Sequence, residues 1–386
     1  VAVRREKLAK LRELGVDPFG GLFPDTESSE QIRGNWEEGR KVRMAGRIVS
    51  HRDMGKSQFL HLQDRAGRLQ IYIQKPSLPE KERAIFELLD LGDILGVEGT
   101  LFLTKTGEKS IRVDTFTLLT KALAPLPDKW HGLVDTETRH RQRHLDLISN
   151  EASRKALDLR VRLVRYLRDF LTNRGFTEVE TPMMQTVAGG AAAEPFKTKH
   201  HALGLDLYLR IAPELYLKRL LVGGLEKVFE INRNFRNEGI SRRHNPEFTM
   251  LEAYWAYSDF QGMASLVEEM IVGAAMELTG GMKILQSDGS TLDLTPPWPR
   301  KKYREAVAEV AGANWFGLAR EAMEKKAVAM GVELEPNLSA LEITQKVFEK
   351  KVEAEAVHPV FITHLPAELV PLARLNREDP TVVDVY

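Results

Sequence analysis

The chain has 386 residues, 43% hydrophobic and 28% charged, a balance that excludes disorder and predicts two or three globular domains. Lys and Arg total 55, as do Asp and Glu, which excludes a protein that coats nucleic acid through bulk charge but leaves room for a local basic patch. With no cysteine, disulfides, thiolate zinc sites and cysteine nucleophiles are excluded together, and a reducing compartment, the cytoplasm, is expected. No apolar run is long enough to span a bilayer. The opening VAVRREKLAKLRELG carries charges where a secretory signal has an apolar centre, so no membrane association is expected.

Residues 3–14 are predicted as an amphipathic helix, with Leu8, Leu11 and Leu14 on one face and Gly15 as its stop. Its basic excess fits either a solvated surface or an RNA contact. From Lys41 to Leu119 short alternating strands follow: KVRMAGRIVSHRD, SQFLHLQD, GRLQIYIQ, DILGVEGTLFLT and EKSIRVDTFTLLT, with one helix over 76–91 between the third and fourth. Five strands with a helix there predict an OB-fold β-barrel, a Greek-key architecture that binds oligonucleotides or oligosaccharides.

ALAPLPDKWHG cannot continue a strand ladder and marks a boundary over 120–145. The following TETRHRQRHLDL is either a charged linker helix or a basic contact for nucleic acid. A long helix is predicted over 151–175, then a strand at FTEVETP. Residues 206–257 read as largely β with one helix at 213–222. Helices at 259–279, 301–311, 316–331 and 339–354 and a late strand at PVFITHLP complete an α+β pattern with a mainly antiparallel sheet.

The most informative segment is KVFEINRNFRNEGISRRHNPEFTMLEAYWAY, residues 227–257. Phe229, Ile231 and Phe235 alternate with polar residues, a charged loop follows, and Phe248, Met250, Glu252 and Tyr254 share one face of a second strand. A ligand with both phosphate and aromatic character would satisfy such a hairpin. Each residue also has a structural reading. Phe248 could be core, Arg236 a structural ion pair, and Glu214 an acid favoured at a helix start after Pro213.

FRNEG (235–239) followed by RHNPEF (243–248) resembles motif 2 of the class II aminoacyl-tRNA synthetases, and the long helix ending in GFTEVETPMM (175–184) resembles motif 1. Within that class, VAGGAAAEPF (187–196) and LYLRIAPELYLKRLLVGG (207–224) resemble the lysine enzymes, bacterial type. The resemblance implies an α+β protein: an N-terminal helix and OB-fold β-barrel that binds the anticodon (1–119), a basic hinge (120–150), and a class II antiparallel-sheet catalytic domain (151–386). It implies activation of lysine by ATP to lysyl-adenylate, transfer to the 3′ end of tRNA-Lys, and a homodimer through residues 153–184, with Pro182 at the interface.

Roles carry over onto matching positions. The resemblance gives Arg236 to the ATP α-phosphate, Glu238 to the adenine amino group, Arg243, His244 and Asn245 to the nucleotide, and Phe248 to stacking on adenine; Arg236, Glu238 and His244 form the catalytic set. Gly190 would let the backbone approach lysine, and Glu214, Glu252 and Tyr254 would surround its amino groups. In the barrel, Arg52, Phe59 and Gln70 match positions that read the central anticodon base, a uracil, and Glu108 matches a further anticodon contact; as a plain barrel, Phe59 would be core and Arg52 a surface charge. Mg2+ is implied by ATP chemistry, with no metal ligand within this sequence.

The class's third motif has no match after residue 257, and DPTVVDVY falls mid-domain by comparison with the family. The magnesium-holding carboxylates and the main carboxylate for the lysine ε-ammonium would lie beyond it, so weak or no activity is expected if nothing follows. Three alternatives compete. An aspartate enzyme would need cations around the substrate, whereas Glu214 and Tyr254 suit an amine. A paralogue that lysylates proteins would lack 41–119. A non-catalytic RNA-binding relative would not need Arg236, Glu238 and Phe248.

Overall fold

The computed structural model describes residues 1–127, 133–241 and 244–386, in two compact units, Val1–Lys155 and Ala156–Tyr386. Arg242, Arg243 and the end of the Pro-rich boundary fall outside these ranges, so the assignment of Arg243 lies outside the described residues.

In the first unit, α1 (Ala2–Glu13) buries Leu8 and Leu11. Arg4 Nη1 donates to Ala122 O at 2.9 Å and Lys7 Nζ to Asp90 Oδ1 at 2.7 Å, so two of its cations fasten the helix to its own unit. A short α2 (Ser29–Gly34), closed by a capping box on Ser28, precedes β1 (Lys41–Met54), β2 (Ser57–Gln63) and β3 (Arg68–Gln74). The helix expected over 76–91 is shorter: a 3-10 turn at Lys75–Ser77 and α3 (Glu80–Glu87). Then come β4 (Ile94–Leu103) and β5 (Lys109–Thr120). Alternate residues point inward, among them Met44, Ile48, Leu60, Ile71, Leu95, Val97 and Ile111, and α3 adds Phe86 to this core. Burying each such aliphatic side chain stabilises by about 1.5–3 kcal/mol. At Gly99 a side chain would run into the Arg112 carbonyl where the β4–β5 ladder shifts register, so the close strand approach requires glycine.

The strands run in ring order β1-β2-β3-β5-β4, and β1 also pairs with β4. The seam between β3 and β5 is unlike the rest: three pairs, Gln70–Ser110, Ile71–Ile111 and Tyr72–Arg112, in parallel register. The other ladders are longer and antiparallel. The expected β-barrel is corrected accordingly: the unit is OB-like, with a weakly joined seam, and is not a barrel closed evenly all round.

After β5, α4 (Thr136–Arg141) and α5 (Arg143–Ser149) replace a single linker helix. The carboxylate of Asp146, 1% exposed, holds Arg139 Nε at 2.9 Å and Arg143 Nη1 at 2.6 Å. Part of the basic charge that suggested a nucleic-acid contact is therefore paired internally.

The second unit begins within α6 (Glu151–Thr172), which places Phe170 and Leu171 against Phe176, Phe229 and Leu266. FTEVETP supplies only β6 (Thr177–Glu178), followed by β7 (Met184–Gln185), β8 (Lys197–His200), β9 (Leu205–Leu209) and α7 (Glu214–Val222). β10 (Lys227–Phe235) and β11 (Glu247–Trp255) form the hairpin foreseen from alternation. α8 (Phe260–Thr279), capped by Asp259, brings Leu266 to the apolar side of that hairpin.

Further on, β12 (Lys283–Leu285) pairs with β13 (Thr291–Asp293), and β14 (Arg300–Lys302) with β15 (Phe361–Thr363). Between β14 and β15 lie α9 (Tyr303–Ala311), α10 (Arg320–Ala329) and α11 (Ala340–Val347), which pack around Trp315 and Ile343; α11 continues into a π turn, Phe348–Glu353.

The ladders of the second unit are mainly antiparallel, as expected, but they are divided among separate sheets. The order β11-β10-β6 is separate from β7-β9-β8, and both β6–β10 and β14–β15 run parallel. β6 is two residues long, so its direction rests on the pairs Val228–Thr177 and Phe229–Glu178 rather than on any local pattern.

Candidate functional site

The β10–β11 register sets the site. Val228 faces Tyr254, Glu230 faces Glu252, Asn232 faces Met250 and Asn234 faces Phe248, so these eight side chains share one side of the ladder. The other side carries Phe229, Ile231, Leu251 and Trp255 into the core, which fixes the register.

At one end, the Arg236 backbone N–H donates to Pro246 O at 2.8 Å and continues the hairpin. Its guanidinium carbon lies 5.2 Å from the centre of the Phe248 ring. Arg236 Nε is buried without a hydrogen-bond partner, a donor that an incoming acceptor would satisfy. Glu238 Oε1 accepts from Glu194 N–H at 3.4 Å, and Asn237 N–H donates to Glu194 O at 2.7 Å, which docks the AEPF segment beside the loop. His244 Nδ1 lies 2.8 Å from Ser241 Oγ, and His244 and Asn245 are both exposed.

At the other end, Tyr254 Oη donates to Glu252 Oε2 at 3.0 Å. Burial pushes the Glu252 carboxyl above the usual range; the Tyr254 hydrogen bond opposes this and Glu214 adds to it. The Tyr254 phenol is raised by burial and by these carboxylates. Glu214 opens α7 and pairs with Lys218 at 2.5 Å, an exposed i,i+4 contact of little strength. Gly190, with φ of +88°, lies against Glu214 and Ala212. Gly190, Glu214, Glu252 and Tyr254 are thus brought together, and the partly buried carboxylates make the cleft suited to an ammonium ion.

The sequence reading missed Arg210 and Glu230, a buried ion pair at 2.7 Å with both side chains 1% exposed. It also missed Asn234, buried with an unpartnered Oδ1 and with Nδ2 3.1 Å from Met250 Sδ. Both LYLR and VFEIN were read as strands. The signal that could have found these residues was a charge or amide placed in alternation with core positions.

In the first unit, Arg52 stands opposite Phe59 in the β1–β2 ladder, and the Phe59 ring is 5.1 Å from that of Tyr72. Gln70 is buried and donates through Nε2 to Ser110 Oγ at 2.8 Å. Arg52, Gln70 and Glu108 line one pocket of about 580 Å3, together with Ser50, His61 and the basic Arg33, Arg68 and Lys109. Phe59 is set beside it by the ladder and is half-buried. His61 joins Ser50 Oγ (2.8 Å) to Glu108 Oε1 (3.1 Å). An aromatic face, amide and carboxylate edges and flanking cations form the set that single-stranded bases require.

Among the described residues, no group of three or more His, Asp or Glu is placed to hold a metal ion, and no helix is long and apolar enough to cross a membrane.

Residues 135–385 match the family model for class II tRNA synthetases (D, K and N), and residues 42–119 match that of the OB-fold nucleic acid binding domain. The chain is 51% identical over 384 residues to a lysine–tRNA ligase of Pelotomaculum thermopropionicum, covering 98% of this chain and 76% of the relative. It is 49% identical to that of Moorella thermoacetica (98% and 78%) and 47% identical to that of Staphylococcus aureus (100% and 80%).

Proposed function

The chain belongs to the class II tRNA synthetases, among the lysine–tRNA ligases, and on that footing we propose that the polar side of β10 and β11 binds ATP and lysine side by side. The enzyme activates lysine with ATP and transfers it to tRNA-Lys in translation. The observation that carries the residue assignment is the division of this face. A guanidinium over an aromatic ring lies at one end, and carboxylates with a tyrosine hydroxyl at the other. Phe248 and Glu252 are four residues apart, roughly 13 Å along an extended strand, which suits a nucleotide and an extended amino acid in line.

In this assignment Phe248 stacks on adenine and Glu238 accepts its amino group. Arg236 meets the α-phosphate with its free Nε, and His244, Asn245 and Arg243 serve the nucleotide's other groups. Gly190 admits lysine, and Glu252, Glu214 and Tyr254 hold its amino groups. The lysine carboxylate, already ionised at pH 7, attacks the α-phosphorus and pyrophosphate leaves. A terminal tRNA hydroxyl then attacks the carbonyl carbon of lysyl-adenylate, and AMP leaves. No general base is needed for the first step, so catalysis rests on alignment and on stabilising phosphoryl charge. Mg2+ is proposed to arrive on the nucleotide phosphates. Among the described residues no group of three or more His, Asp or Glu is placed to hold it.

The pocket of the first unit, with Arg52, Phe59, Gln70 and Glu108, is proposed to read the anticodon. Domains at 1–119 and 151–386 joined by a basic 120–150 segment are proposed, with the cytoplasm as the compartment. A homodimer through residues 153–184 is proposed on the exposure of Leu157 (42%), Val161 (53%) and Met184 (59%). The test is ATP–pyrophosphate exchange with lysine, aspartate and asparagine in turn. Exchange with lysine alone supports the assignment, and exchange with aspartate in its place overturns it.

A further inference from the structure

Glu230 and Glu252 stand directly opposite each other in the β10–β11 ladder. Like charges so placed repel. One of them is answered inside the protein. Arg210 Nη1 donates to Glu230 Oε1 at 2.7 Å and to Thr181 Oγ1 at 3.0 Å, and Arg210 Nε donates to Arg233 O at 2.9 Å. Glu230 Oε2 accepts from Thr181 Oγ1 at 2.6 Å, and Oε1 from Asn232 Nδ2 at 3.2 Å. The other, Glu252, accepts from the neutral hydroxyl of Tyr254 and has no ion pair of its own among the described residues; Arg210 acts on it only at a distance. A buried ion pair is weak evidence of stabilisation, since apolar residues of similar volume often serve as well. Its place across from Glu252, the carboxylate proposed to hold the substrate ammonium, calls for another reason.

We infer that the buried Arg210–Glu230 pair is a charge-setting and positioning device for lysine selection: Glu230 saturates Arg210, so that Glu252 across the ladder stays unpaired for the substrate ammonium. This rests on the proposed placement of lysine at Glu252. The device acts through Glu252 and does not touch substrate. Without Glu230, Arg210 is the nearest cation that can turn to Glu252 and compete with lysine. Without Arg210, two carboxylates share the site and Glu252 holds its proton more tightly. The charged and titratable groups that face Glu252 are Glu230 of β10, Arg210 after β9, Glu214 of α7 and Tyr254 of its own strand.

The test is the pH profile of lysine-dependent ATP–pyrophosphate exchange, with KM for lysine and for ATP measured separately. Glu230→Gln is expected to raise the lysine KM about tenfold, the effect of one competing charge, while the ATP KM stays within about threefold. Its acid limb should move to lower pH, because Arg210 now holds Glu252 ionised. Arg210→Gln should move the acid limb to higher pH. The double variant Arg210→Gln/Glu230→Gln restores the net charge and should return the limb and lysine KM towards the parent. Glu230→Asp keeps the charge and the fold and should behave as the parent.

Opposite shifts in the single variants with recovery in the double support the inference. Shifts in one direction, a double variant no better than the worse single, or loss of lysine affinity in Glu230→Asp overturn it. If a single variant does not fold, the double variant and Glu230→Asp decide by the same criteria. Measured on the protein extended through the third motif expected after residue 386, a parent that shows no exchange with lysine removes the lysine placement and this inference with it. A lysine-using parent with unmoved variants removes this inference alone.

Discussion

Gly190 and Glu214 approach so closely that a β-carbon on Gly190 would lie 2.9 Å from the Glu214 β-carbon. The φ of +88° at Gly190 is one that side chains with a β-carbon adopt only under strain. Gly190→Ala should therefore displace the first turn of α7 and add about 1–2 kcal/mol of backbone strain. The expected result is a melting point lowered by a few degrees, about 2–4 °C per kcal/mol for a unit of this size, and a lysine KM raised about tenfold with the ATP KM unchanged. Differential scanning fluorimetry and exchange kinetics read the two effects separately.

The unpartnered Nε of Arg236 and the ring of Phe248 predict a different signature. Arg236→Lys keeps the charge and loses the planar fork, so the exchange rate should fall about 10²–10³-fold with little change in melting. Phe248→Leu should leave the rate at saturating ATP largely intact and raise the ATP KM about fivefold, the loss of roughly 1 kcal/mol of stacking. Equal effects of both variants on the lysine KM would argue against this division of the face.

Reading of the anticodon should separate from activation of lysine. Arg52→Ala and Phe59→Leu should lower kcat/KM for tRNA by about ten- to a hundredfold, for roughly 1–3 kcal/mol per base contact. Exchange in the absence of tRNA should be unaffected. Aminoacylation of a tRNA-Lys transcript beside the exchange assay checks both.

Burial raises the Glu252 carboxyl above its ordinary range, and this fixes a sign. For an acid whose folded pKa is raised, the stabilising contribution is full below the unfolded pKa and is lost as pH rises through the folded pKa. Glu252→Gln should thus melt no lower than the parent at neutral pH, with any gain disappearing in acid. Lysine affinity runs the other way: the ammonium needs the ionised carboxylate, so the lysine KM of the parent should climb as pH falls through the raised pKa. Thermal melts and lysine titrations across pH would show both trends.

The local elements of the first unit were legible because their causes are local. Each strand from β1 to β5 matches its alternating segment to within a residue or so, since apolar periodicity and Gly turns set both ends. The β3–β5 seam was not legible, because its parallel register depends on distant residues. The same holds for β6, whose two residues take their direction from β10. The expected long helix 339–354 hid a change of winding at Phe348, where α11 gives way to a π turn.

In the site, Phe248, Glu252 and Tyr254 could be aligned from strand period alone, while their meeting with Gly190 and Glu214 is tertiary. Arg210 and Glu230 alternate with core positions and carry no local mark of their partnership, which joins β10 to the end of β9. The arginines at 139 and 143 advertised a nucleic-acid surface in sequence. Their capture by the buried Asp146 needs the bend between α4 and α5, which charge spacing did not announce.

The measurement that tests the account's central claim most directly is exchange with lysine against norleucine, which has the same carbon chain and α-ammonium but no ε-ammonium. If Glu252, Glu214 and Tyr254 select the ε-amine, lysine should be preferred by about 10²-fold or more in kcat/KM, because norleucine leaves buried polar groups unpaired. Comparable use of norleucine would contradict the assignment of these residues as the lysine pocket.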